Sequence, residues 1–161
     1  MIAILLNDAS FEQDIRELLM AFYPGETFTH KEEEAGEADL IVRGVRDGNS
    51  FSLDVTPVKK EAVHFALIYP DFSNRFETKN EIKQTLYRLL SAQTGRELPW
   101  GTLTGIRPTK IALTKLYDGW TDEQIETYMR ETYFTSKEKI DLSIDVAERE
   151  RRLLSTIDYE N

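Results

Sequence analysis

The chain has 161 residues, with 20 Lys and Arg against 29 Asp and Glu, a formal net charge of −9, and no cysteine. That length suits one domain or a domain with a small appendage, and it buries enough surface to fold without a disulfide or metal staple. The acidic balance argues against a general binder of nucleic acid or anionic membrane. The missing thiols remove disulfides, thiolate nucleophiles and cysteine-held zinc or iron–sulfur sites.

Two histidines, His30 and His64, could at most build a two-His metal site. No apolar run approaches the roughly 18 residues that span a membrane. The start, MIAILLNDAS, has no basic segment and turns polar at Asn7-Asp8, unlike a signal peptide. A cytoplasmic protein is expected.

Residues 2–6 form a short apolar run that reads as a buried strand. Ser10 with Gln13 has the spacing of a capping box. Phe11, Ile15, Leu18, Leu19 and Phe22 then recur on one helical face, which Pro24-Gly25 ends. Residues 26–39 hold six acids and one Lys without apolar period. They read as a solvated loop over 31–37, flanked by a short strand near Glu26–His30.

Asp39–Arg46 is rich in β-branched residues and leads into Asp47-Gly48, a hairpin signal. Phe51, Leu53 and Val55 alternate with polar residues up to Pro57, and Val63–Tyr69 supplies a further strand. Short links between these three strands predict an antiparallel meander. Thr78 with Glu81 has capping-box spacing, an apolar face through Ile82, Leu86, Leu89 and Leu90 follows, and Gly95 sits where a helix ends.

Pro108 suits the first position of a helix over about 108–118. Thr121 with Gln124 predicts a helix to about Tyr133, and Thr135 with Glu138 one to about Ile157. The predicted class is α+β: an N-terminal β-α-β-β-β-α antiparallel or mixed sheet with two helices, then a three-helix C-terminal segment. The division is a 1–96 α/β subdomain and a 97–161 helical subdomain.

On the last helix, Asp141, Asp145, Glu148, Arg149, Arg152, Ser155 and Thr156 share a polar arc. Leu142, Ile144, Val146, Ala147, Leu153, Leu154 and Ile157 spread over roughly 200°, wider than the stripe of about 100° that a surface helix buries. Either the helix sits centrally in a small bundle or it has a second packing surface. The chain stops soon after this helix, which is also a natural place to divide a larger polypeptide.

Residues 98–117 contain Arg107, Lys110 and Lys115 and no acid, a basic island in an acidic chain. Gly101 and Gly105 let the backbone approach a neighbour closely. Arg107 and Lys110 stand at a helix N-terminus, where dipole and N–H groups favour an anion. Thr102, Thr104, Arg107, Thr109 and Lys110 are therefore the candidate anion-binding or interdomain residues, against the alternative of a plain turn that pairs with nearby acids. His64, His30 and the 32–34 acidic run read as a strand histidine, a loop histidine and a solvated loop. Trp100, Tyr117 and Trp120 read as helix packing rather than a ligand platform. No nucleophile–base pair and no metal set can be assembled, so no catalytic residue is assigned.

The stretch Pro99-Trp100-Gly101-Thr102-Leu103-Thr104-Gly105-Ile106-Arg107-Pro108-Thr109-Lys110 resembles the W-G-x-L-T-G-x-R-P-T-K signature of bacterial oxygen-independent coproporphyrinogen III oxidase-like radical-SAM proteins. The signature lies in the N-terminal region of that family, and related members include haem chaperones. In the family a radical-SAM barrel follows this region, and a C-x3-C-x2-C triad holds a [4Fe–4S] cluster with S-adenosylmethionine on the fourth site. Those ligands fall on no position of a cysteine-free chain. The resemblance thus implies a non-catalytic N-terminal accessory domain in porphyrin and haem biosynthesis. It has no cofactor of its own, a C-terminal radical-SAM barrel as partner, and a porphyrinogen as a possible contact. A small RNA- or nucleotide-binding module, supported by the basic island alone, and a structural self-association domain are the alternatives from other classes.

Overall fold

The computed structural model describes residues 1–59, 63–104 and 108–160, the last five of these as backbone alone, and it divides into two compact units, Met1–Glu97 and Leu98–Asn161. In the first unit the opening apolar run is β1 (Ile2–Leu6), with Ile2, Ala3, Ile4 and Leu5 all buried. It lies inside a five-stranded sheet of order β2-β1-β3-β4-β5. The other strands are β2 (Phe28–Thr29), β3 (Leu40–Asp47), β4 (Ser50–Pro57) and β5 (His64–Ile68).

β1 runs parallel to both β2 and β3, because α1 (Glu12–Phe22) carries the chain back between β1 and β2. β3, β4 and β5 form the expected antiparallel meander. The turn after β3 places Gly48 at φ 61°, the left-handed region where glycine is strain-free. The α+β class with a mixed sheet is thus as the sequence predicts.

Helices α1 and α2 (Arg75–Thr94) pack against each other and cover one face of the sheet. Ile15, Leu18, Leu19 and Phe22 of α1, Ile82, Leu86 and Leu90 of α2, and Phe51, Leu53 and Val55 of β4 are all buried, and α2 packs on both α1 and β4. Two edge-to-face aromatic pairs lock this layer, Phe11 with Phe51 at 5.9 Å and Phe22 with Tyr87 at 5.3 Å.

Three helix starts differ from the expected capping boxes. At α1 the Asp8 carboxylate accepts from Ser10 N–H at 3.0 Å, and residues Ala9–Phe11 wind into one 3₁₀ turn before the α-helix begins. The Ser10–Gln13 box does not form, and Gln13 instead donates to Glu17. At α2 the cap is Asn74, which accepts from Glu77 N–H at 3.1 Å. Thr78 therefore lies inside the helix, where its hydroxyl is buried between the carbonyls of Asp71 and Asn74.

The 31–37 segment is largely exposed, as expected, but it is not an irregular loop. It is a 3₁₀ helix, Glu32–Glu37, whose Ala35 packs with Ala38 on Ala3 and Leu5 across the second face of the sheet. Two of its acids are engaged. Glu32 receives two hydrogen bonds from the Arg43 guanidinium, at 2.9 and 3.2 Å, which hold its carboxyl below the usual range, and Glu34 accepts from Thr29.

The second unit is helical: α3 (Pro108–Tyr117), α4 (Asp122–Tyr133) and α5 (Lys137–Glu160). Pro108 opens α3 as expected, and Thr121 with Gln124 forms a complete capping box on α4. Thr135 does not cap α5. Its side chain is recruited elsewhere, and Ser136 receives Lys139 N–H instead. Leu103, Ala112, Leu116, Ile125, Met129 and Ile140 are among the residues that form the core. Among the described residues no helix is long and apolar enough to cross a membrane.

Candidate functional site

The basic, acid-free segment from Leu98 onward is the most distinctive stretch of the sequence. Leu98 and Trp100 carbonyls accept from Gly101 and Leu103 N–H groups, at 2.9 and 3.2 Å, so the chain makes two successive tight turns. Gly101 stands between them at φ 61°. A Cβ there would lie 1.9 Å from the Tyr133 carbonyl oxygen, so the position admits hydrogen alone.

What Gly101 approaches is the end of α4. A helix leaves its last carbonyls without intrahelical donors. Here the Tyr133 carbonyl receives Thr102 N–H at 2.7 Å and the Thr102 hydroxyl at 3.2 Å. Phe134, at φ 58°, turns the chain out of the helix in the left-handed conformation. Two further bonds tie the same corner: Thr135 hydroxyl to the Trp100 carbonyl at 3.2 Å, and Ser136 N–H to the Pro99 carbonyl at 2.9 Å. Residues Pro99–Leu103 therefore clasp the α4–α5 corner, with the half-buried Trp100 against the core and Lys139 Nζ 5.5 Å from its ring centre.

The candidate residues part company at this point. Thr102 is 1% exposed, and both its donors are committed to the corner. Thr104 and Thr109 are half-buried and Lys110 is exposed on the first turn of α3. Gly105 and Arg107 lie outside the described residues. Thr109 and Lys110 follow Pro108 at the start of α3, so solvent-facing chemistry in this stretch begins after the clasp.

A second cluster in the same unit was only half visible in the sequence. Trp120, Tyr128 and Tyr133 stack edge to face with centres 5.6 and 5.8 Å apart. Lys115 Nζ rests over both Trp120 and Tyr128, at 4.5 and 4.6 Å. Burial pushes the Tyr133 phenol up, reinforced by its contact with Tyr128. Tyr117 is outside this cluster and largely exposed. A shallow hollow of about 670 Å³ opens beside Trp120 and Tyr128, lined also by Thr121, Glu123, Gln124 and Thr127. Its lining holds no nucleophile–base pair.

The histidines belong to the first unit. His30 Nε2 meets Glu12 at 2.9 Å at the surface of the first unit, and His64 is half-buried on β5. Its expected same-face neighbour Ala62 lies outside the described residues. Among the described residues no three His, Cys, Asp or Glu side chains gather in a way that could hold a metal ion. With no cysteine in the chain, there is also no thiolate donor for an iron–sulfur cluster. The side chains present do not fit that group.

No family model matches the chain, and no solved structure does. Among curated proteins it is similar to the oxygen-independent coproporphyrinogen-III oxidase-like protein HemZ of Bacillus subtilis (strain 168), with 35% identity over 98 residues. The match takes in 59% of this chain and 19% of that protein, so the chain spans about a fifth of the relative's length. The likeness is several times longer than the Pro99–Lys110 signature.

Proposed function

We propose that this chain is a non-catalytic accessory domain of a longer coproporphyrinogen oxidase-like radical-SAM protein, cytoplasmic and acting in porphyrin and haem biosynthesis. The 98-residue likeness to an oxidase-like protein carries this reading. It is supported by the donor chemistry. A radical-SAM cluster needs thiolates that this chain lacks, so those ligands would come from a different part of the polypeptide.

Within that reading the clasp has a plain task. It fixes the backbone up to Leu103, so that the chain sets out toward α3 from a rigid corner. Lys110 stands on the first turn of α3, and Arg107 precedes Pro108 in the sequence. A cation at a helix N-terminus is unfavourable alone and favourable beside a carboxylate. Lys110 and Arg107 would then meet an acidic side chain of the catalytic part or a carboxylate of its substrate.

The coding sequence that follows residue 161 in the source genome tests the reading directly. A C-x3-C-x2-C triad downstream is expected, and a stop codon at that point overturns the proposal. The purified 161-residue chain is expected to leave a porphyrinogen unchanged, so turnover by the chain alone also overturns it.

A further inference from the structure

The wide apolar arc of α5 is only partly used. Ile140, Ser143, Ile144 and Ala147 are buried in the core of the helical unit, and none of the described residues after Ala147 is buried. On the opposite side of the helix, Leu142 is 47% exposed and Leu153 63% exposed. With Val146 and Arg149 they recur at steps of four, three and four residues. That is the heptad rhythm of a coiled-coil seam, and it lies across the helix from the residues that face the core.

The charges beside this seam decide what can cover it. Asp145 and Arg152 are both exposed and flank it on the same side, one seven residues after the other. In an antiparallel pair of identical helices, residues of this class face each other across the seam. Setting Leu142 of one helix opposite Leu153 of another places Val146 opposite Arg149 and Asp145 beside Arg152, and the twofold axis repeats each contact. A parallel pair would set Asp145 beside Glu150, like against like. Antiparallel packing also opposes the two helix dipoles favourably.

We propose that α5 is a self-association helix, pairing antiparallel with α5 of a second copy of this chain through Leu142, Val146, Arg149 and Leu153. In the free chain Asp145 is held by Arg149 of its own helix at 3.1 Å, an exposed i,i+4 pair that can be exchanged at little cost. One helix pair buries less than the roughly 1,200 Å² at which standard interfaces begin, so the dimer is of the micromolar kind.

Sedimentation equilibrium of the 161-residue chain, from low micromolar to roughly 200 µM, tests this. A monomer–dimer equilibrium is expected in that range. Leu153→Asp changes an exposed side chain and should raise the dissociation constant about tenfold or more. Asp145→Arg and Arg152→Asp should each weaken the dimer, because each sets like charges across both contacts. An equimolar mixture of the two variants should recover it, since the two substituted side chains then face each other between copies with opposite charge. Loss of the intrahelical Asp145–Arg149 pair cannot be repaired by mixing, so recovery is specific to the contact between chains. A chain that remains monomeric throughout the range overturns the proposal. So does a dimer that is insensitive to Leu153→Asp yet lost in Phe65→Lys, which would place the interface on the exposed edge strand β5.

Discussion

The two ends of the Pro99–Lys110 signature look alike on paper, each a threonine beside a conformationally special residue. In the fold they are opposites. Gly101-Thr102 is turned inward onto the end of α4 and spends its hydrogen bonds there, whereas Thr109-Lys110 begins a helix with the ammonium in solvent. A motif read as a single binding element is thus part clasp and part presented surface. The sequence cannot separate the two, because the Tyr133 carbonyl that claims Thr102 is 31 residues away.

Gly101→Ala breaks the clasp most directly. The new methyl would overlap the Tyr133 carbonyl and force a left-handed backbone on alanine, which together should cost roughly 3–5 kcal/mol. Both tryptophans, Trp100 and Trp120, belong to the helical unit, so their emission during urea denaturation reads it out. A midpoint unchanged from the parent would mean that the close approach is not a feature of the folded chain. Thr102→Val is the milder form. It keeps the N–H bond at 2.7 Å and deletes the hydroxyl bond at 3.2 Å, leaving a cost of about 1 kcal/mol by the same measurement.

Asp8 offers the matching experiment in the sheet unit. Hydrogen bonds from Ser10, helped by Arg46, hold its carboxyl below the ordinary range. A group with a depressed folded-state pKa contributes stability above its unfolded value, near pH 4, and loses it as pH falls through the folded value. Asp8→Asn keeps a capping acceptor but removes the charge at the helix start, so it should cost about 0.3–1 kcal/mol at neutral pH. The difference from the parent should shrink below pH 4, followed by circular dichroism of the thermal transition. A difference constant from pH 7 to pH 3 would show that the charge on Asp8 does no work.

Most of the fold could be read in advance because it rests on local patterns. Alternation at Phe51, Leu53 and Val55 placed β4, Asp47-Gly48 placed the hairpin, and the apolar faces placed α1 and α2. The errors cluster where a local pattern has a competitor. The S/T-x-x-E/Q spacing at Ser10 and Thr78 lost to Asp8 and Asn74, acceptors that stand upstream and meet the first free N–H groups earlier. Thr135 lost to a tertiary partner, the Trp100 carbonyl. Thr121 with Gln124 met no such competitor and formed its box.

Lys110→Ala has the smallest expected effect on folding and sharpens the contrast within the signature most cleanly. Its ammonium is exposed, so the variant should unfold within about 0.5 kcal/mol of the parent, in the same Trp-emission assay that detects Gly101→Ala. Any role it has must then appear against a partner. If the chain is the accessory domain proposed above, Lys110→Ala in the longer protein should lower porphyrinogen turnover or loosen the association with the catalytic part, while Thr102→Val should act on stability alone. If Lys110→Ala changed neither turnover nor association, the presented half of the signature would carry no recognition. The structural task of the motif would then rest with Pro99–Leu103, with the basic island a by-product of keeping acids away from the carbonyl end of α4, where their charge would repel it.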